Sequence, residues 1–168
     1  DLTTNTQPVM LTAGIACWRA FVAETGATPV AAAGHSLGEY TALVAAGALS
    51  LADALPLVRF RAQAMQEAVP VGVGAMYAIL GLDGEAVRAG CAQAAAESGE
   101  AIEAVNFNDP KQTVIAGSKA GAEKAAEILK AAGAKRALPL PVSAPFHSSL
   151  MKPAAERLKE KLATVQFR

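Results

Sequence analysis

The pentapeptide Gly34-His35-Ser36-Leu37-Gly38 stands between a run of small, mostly apolar residues, Thr28-Pro-Val-Ala-Ala-Ala33, and an alanine-rich stretch that closes near Gly47. Read in order, these pieces predict a buried strand, a tight turn and a helix. The glycines two residues either side of Ser36 fit G-x-S-x-G, a pattern in which a strand turns sharply into a helix and lifts the serine out of the surface. Residues without side chains let the backbone cross closely at such a turn. The helix N-terminus then aims free N–H groups and the positive end of its dipole at one point. The plainer alternative is a capped helix start in which Ser36 satisfies backbone donors. A strand before and a helix after favour the sharp turn, and predict an α/β layer of the α/β-hydrolase type.

The flanking segments read as helices. Leu11, Ile15, Trp18 and Val22 recur at helical spacing, with Pro8 suited to a first turn and Gly26 to the stop. After the alanine-rich helix, Ser50 and Asp53 stand in capping-box register ahead of a stripe of Leu55, Val58, Ala62 and Met65. Pro56 falls inside that stripe and predicts a kink or an irregular first turn. Pro70, Gly72 and Gly74 end it.

From about residue 74 the pattern changes. Residues 75–80 read as a strand, 84–98 as a helix, 102–107 and 113–116 as two strands joined at Asn108-Asp109-Pro110, 120–132 as a helix and 135–140 as a strand. The order β-α-β-β-α-β predicts a ferredoxin-like subdomain. We therefore expect an α/β core from residues 1–72 and 142–168, interrupted by a small subdomain at 73–141. A closing amphipathic helix carries Leu150, Ala154, Leu158 and Leu162 on one face.

Composition narrows the function classes. Fifteen basic and fifteen acidic residues balance to zero, without the basic excess of nucleic-acid or membrane-surface proteins. No apolar run reaches the ~20 residues of a membrane span. The opening DLTTNTQPVM lacks the charged head and apolar core of a signal peptide, so the chain reads as cytoplasmic. Cys17 and Cys91 lack metal-ligand spacing and are expected as buried free thiols.

A serine nucleophile needs a base, and the chain has two histidines. His35 adjoins Ser36, so its side chain leaves the turn in another direction and suits a supporting role. His147, in a Pro/Ser-rich loop between a strand and a helix, is the better base. No single carboxylate stands out to orient it, which leaves that task to a backbone carbonyl. Arg61, read from its helix alone, is a solvated charge.

Four blocks, GHSLGEYTALVAAGALSLADAL, RAQAMQEAVPVGVGAM, AVNFNDPKQTVIAG and GAKRALPLPVSAPFHSSLMKPA, resemble the malonyl-CoA:acyl carrier protein transacylase family, in order and at family spacing from about residue 7 to the end. The resemblance implies a role for each matching position. Ser36 becomes the serine that is malonylated, His147 its general base and acid, and Leu37 the donor of one oxyanion-hole N–H. Arg61 becomes the partner of the free malonyl carboxylate, a task suited to its planar fork of donors. Met65 becomes part of the pocket wall, and His35 joins the substrate-binding set. Asn106 and Asn108 fall near the pantetheine arm, and Lys135 and Arg136 near the phosphates of CoA. Phe146 implies a preference for malonyl over branched acyl groups, because its bulk fills the space of an α-methyl.

The resemblance further implies transfer of malonyl from malonyl-CoA through acyl-Ser36 to the phosphopantetheine thiol of acyl carrier protein, with no metal or redox cofactor. It also implies two absent pieces: an earlier strand with a glutamine loop that completes the oxyanion hole, and later strands that orient the histidine. The sequence is thus expected to be an internal piece of a longer protein, and losing one oxyanion donor costs on the order of 10²–10³ in rate. Two alternatives stay open from the residues. One is a serine esterase or thioesterase of α/β-hydrolase type; the other is a catalytically incomplete fragment that binds carrier protein.

Overall fold

A computed structural model of the chain describes residues 3–142 and 144–168. The architecture is mixed α/β and divides into two compact units, one of residues up to Ala64 with Glu156–Arg168, the other of Met65–Ala155.

The first unit is helical. Helix α1 spans Thr3–Thr25, α2 Leu37–Ala45 and α3 Leu51–Glu67. Leu11 and Ile15 of α1 meet Tyr40 of α2, Leu49, and Ala54, Leu57 and Val58 of α3 in one apolar cluster. Leu158 and Leu162 of the closing helix α6 (Lys152–Leu162) pack on it. Full burial of each leucine, isoleucine or valine here contributes roughly 1.5–3 kcal/mol. The cap before α3 forms as its sequence implies, with Asp53 N–H donating to Ser50 Oγ at 3.0 Å.

Three expectations in this unit change. Helix α1 begins at Thr3, so Pro8 lies inside it rather than in its first turn. The early turn is held by Gln7, whose amide bonds Thr3 and, across the unit, Arg61. Residues 28–33 are exposed and form no strand. A strand exists through its partners, and among the described residues the one sheet is built elsewhere, from β1–β4 below. The strand of the expected strand–turn–helix is therefore missing, while its turn and helix are present. Cys17 is exposed, because the stripe of α1 that faces the core runs through Leu11 and Ile15.

The second unit carries β1 (Gly74–Leu80), α4 (Gly84–Ser98), β2 (Ile102–Asp109), β3 (Gln112–Ser118), α5 (Lys119–Ala131) and β4 (Arg136–Pro139). All pairings are antiparallel, in the order β2-β3-β1-β4. Asp83 and Ser118 cap α4 and α5 by accepting from Ala86 and Gly121 N–H. Alternation divides the sheet's side chains. Ile79, Ile102, Ile115 and Ala137 meet Val87, Cys91 and Ala94 of α4 and Ala122, Ala125 and Leu129 of α5 in one core. Met76, Val114 and Ala116 form a separate cluster with Val105, Leu140 and Phe146. A short 3-10 turn, Ser149–Met151, leads into α6.

Candidate active site

The turn at Ser36 is strained in the manner its sequence pattern implies. Ser36 takes φ 52° and ψ −110°, a region that side chains disfavour by about 1–3 kcal/mol, and α2 starts at the next residue. Gly38 N–H donates to the His35 carbonyl at 2.8 Å and closes the turn. Gly34 is required by space: a Cβ there would lie 1.9 Å from the carbonyl carbon of Gly38. A Cβ on Gly38 would meet nothing within 4 Å. Leu37 opens α2, so its N–H is among the helix's first donors, which have no partner inside the helix. His35 is exposed, and with Leu37 it lines an apolar groove of about 730 Å³ that also includes Cys17, Trp18 and Phe21.

Arg61 is buried, at 8% exposure, which overturns its reading as a solvated helix charge. Its Nη2 donates to Ser36 Oγ at 3.0 Å and its Nη1 to Gln7 Oε1 at 2.6 Å. The guanidinium carbon stands 5.5 Å from the centre of the Tyr40 ring. Burial lowers the pKa of Arg61, and the fields of Tyr40 and Glu39 oppose that fall. Burial raises the pKa of Tyr40, with Arg61 opposing. An arginine stays cationic at neutral pH even so. Among the described residues no carboxylate forms an ion pair with it. A buried cation held by a neutral amide, a hydroxyl and a ring face is set up to receive an anion.

Gln7 and Tyr40 escaped the sequence reading. A signal for Gln7 was present: Gln7, Leu11 and Ile15 fall at i, i+4 and i+8, which puts a polar side chain on the buried stripe of α1. Tyr40, four residues past Ser36 on α2, carried no such mark.

The other candidates belong to the second unit. His147 is exposed and takes φ 66°, in the left-handed region, inside a turn where Ser148 Oγ donates to the Pro145 carbonyl at 2.7 Å. Phe146 packs on the Met76, Val114 and Ala116 cluster and also beside Val69, Ala144 and Met151, where Met65 sits too. Asn106 follows an irregularity in β2 and faces Val114, and Asn108 is exposed beyond it. Lys135 lies against Gly81, and Arg136 opens the edge strand β4; both are exposed. Ser143, within the fourth block, lies outside the described residues. Among the described residues no His, Cys, Asp and Glu cluster could hold a metal ion, and no helix is long and apolar enough to cross a membrane.

Comparison with known proteins extends this picture. A family model described as acyl transferase domain matches residues 1–168. The chain is 53% identical over 165 residues to a malonyl CoA-acyl carrier protein transacylase of Salmonella typhimurium, covering 98% of this chain and 53% of that protein. A protein of the same name from Haemophilus influenzae is 55% identical over 166 residues, with 98% and 53% covered. Among solved structures, an acyl-carrier-protein S-malonyltransferase from Burkholderia pseudomallei superposes with TM-score 0.96 at 70% identity, over 100% of this chain and 54% of the other. A malonyl-transacylase in complex with its type II PKS acyl-carrier protein does so with TM-score 0.96 at 50% identity, over 99% and 53%. The chain thus spans about half the length of the relatives it matches.

Proposed function

The chain belongs to the acyl transferase domain family, and on that premise we propose that it carries the nucleophile and the carboxylate-binding arginine of a malonyl-CoA:acyl carrier protein transacylase. The observation that carries this reading is the 3.0 Å contact between Arg61 and Ser36, made by a buried cation that no carboxylate among the described residues ion-pairs. A malonyl group on Ser36 Oγ ends in a carboxylate three bonds away, within the arginine's reach. A hydrolase for neutral esters has no use for such a charge, so the arginine favours transfer of an acid-bearing acyl group.

In the first step Ser36 Oγ attacks the thioester carbonyl of malonyl-CoA while His147 takes its proton. The Leu37 N–H stabilises the oxyanion, and CoA leaves as the thiol with the proton from His147. In the second, the phosphopantetheine thiol of acyl carrier protein gives its proton to His147 and attacks the acyl-serine; the C–Oγ bond breaks and His147 returns the proton to Ser36 Oγ. Arg61 holds the malonyl carboxylate throughout, and Gln7 Oε1 fixes the guanidinium plane without neutralising its charge. Met65 and Phe146 bound the acyl pocket, with His35 beside the nucleophile. Asn106 and Asn108 contact the pantetheine arm, and Lys135 and Arg136 the CoA phosphates. We read residues 1–72 and 142–168 as contributing helices and the serine turn to an α/β-hydrolase-like core, and 73–141 as a ferredoxin-like subdomain inserted in it. The setting is cytoplasmic, in fatty-acid synthesis.

The test is intact-mass analysis after brief exposure of the full-length protein to malonyl-CoA or acetyl-CoA. A malonyl adduct absent in Ser36→Ala, and at least tenfold slower to form in Arg61→Ala with acetylation spared, is the expected result. Rapid, continuous hydrolysis of malonyl-CoA without carrier protein would favour a hydrolase. Carrier-protein binding without any adduct would leave a non-catalytic binding module.

A further inference from the structure

We propose that Glu103 is a positioning residue for His147, its carboxylate tying the histidine's loop to strand β2; this rests on the reading of His147 as the base. The turn Ser149–Met151 runs directly into α6, so the Ser149 N–H is one of the first donors of a helical segment. Such donors are ordinarily met by the side chain of the residue before the helix. Ser148 does not serve: it is buried, at 6% exposure, and its hydroxyl donates backwards to the Pro145 carbonyl. Its place is taken by Glu103, 46 positions earlier, whose Oε2 accepts from Ser149 N–H at 2.9 Å. A carboxylate at a helix N-terminus makes a charge-assisted bond and meets the positive end of the dipole.

The placement of this bond gives it a consequence at His147. Glu103 pairs with Ala116 of β3, and cross-strand partners point to the same face of a sheet. Phe146 packs against the cluster that this same Ala116 forms with Met76 and Val114. His147 is thus bracketed along the chain by two anchors on one sheet face, Phe146 just before it and Ser149 two residues after. Between them it keeps a left-handed φ of 66°, a conformation that persists where the surroundings over-determine it. Remove the polar anchor and the loop can relax towards ordinary φ, carrying the imidazole off its line. An error of about 1 Å in placing a reacting group can lower a rate by as much as ~10².

The experiment uses the full-length protein and reads single-turnover acylation of Ser36 by malonyl-CoA. Glu103→Ala is expected to lower the rate at saturation about tenfold and to leave the half-saturating malonyl-CoA concentration within about twofold. Glu103→Gln, which keeps an oxygen acceptor, should lose no more than about threefold, and it carries the test if the alanine variant does not fold. In a His147→Ala background Glu103→Ala should change nothing further, a non-additivity that a general loss of stability would not produce. An unchanged saturating rate in Glu103→Ala, or effects that multiply in the double variant, overturns the proposal. If His147→Ala alone acylates normally, the base assignment fails first and the proposal falls with it.

Discussion

At the scale of single residues, the two glycines of the Ser36 turn differ in kind. A methyl on Gly34 would collide with the backbone of Gly38, whereas one on Gly38 enters open space. Gly34→Ala is therefore expected to lower stability by about 3 kcal/mol or more and to abolish acylation. Gly38→Ala should hold or raise the thermal midpoint, since alanine is the better helix former by about 1 kcal/mol; thermal melts of both variants check this. The cysteines differ as well. Burial pushes the Cys91 thiol from its ordinary 9.0 up to about 12, with the Glu103 carboxylate adding to the rise. A thiol reagent at pH 8 should label one site, Cys17, in the native chain and both after denaturation. Because the folded state keeps a proton that the unfolded chain releases above about 9, this thiol's contribution is complete below pH 9. It is then lost at about 1.4 kcal/mol per pH unit as pH rises towards 12. Denaturant midpoints across that range would test the sign.

At the scale of elements, residues 74–139 were readable to within a few positions. The forces that set these elements are local: Asp83 and Ser118 cap α4 and α5, and Gly99 closes α4 with a left-handed φ. Gly117 on β3 shows how close the layers come: a Cβ there would lie 2.1 Å from the carbonyl oxygen of Ala101. Gly117→Ala must open the β2–β3 edge and is expected to cost about 2–4 kcal/mol, measured by chemical denaturation. Elements read less well where a distant partner decides them. Helix α1 starts five residues before Pro8, with Gln7 hydrogen-bonded to Thr3 and to Arg61. Residues 28–33 carry the composition of a buried strand yet are exposed, because no neighbouring strand among those described pairs with them.

At the scale of the whole molecule, that exposed segment leaves apolar surface in the open. Val30 is fully exposed beside a groove lined by Trp18, Val22 and Ala45. The 168-residue chain should bind an apolar dye there, and Val30→Glu should weaken the fluorescence with little change in melting temperature; equal fluorescence in both would place the dye elsewhere. Sequence alone determined the turn at Ser36, most helices and strands, and, through four blocks of resemblance, the family, because those depend on neighbours along the chain. Only the tertiary structure decided that Arg61 is buried against Ser36, that Gln7 holds it, and that Glu103 reaches Ser149. Burial and long-range hydrogen bonds join residues 25 to 54 positions apart, and no local periodicity records such pairings.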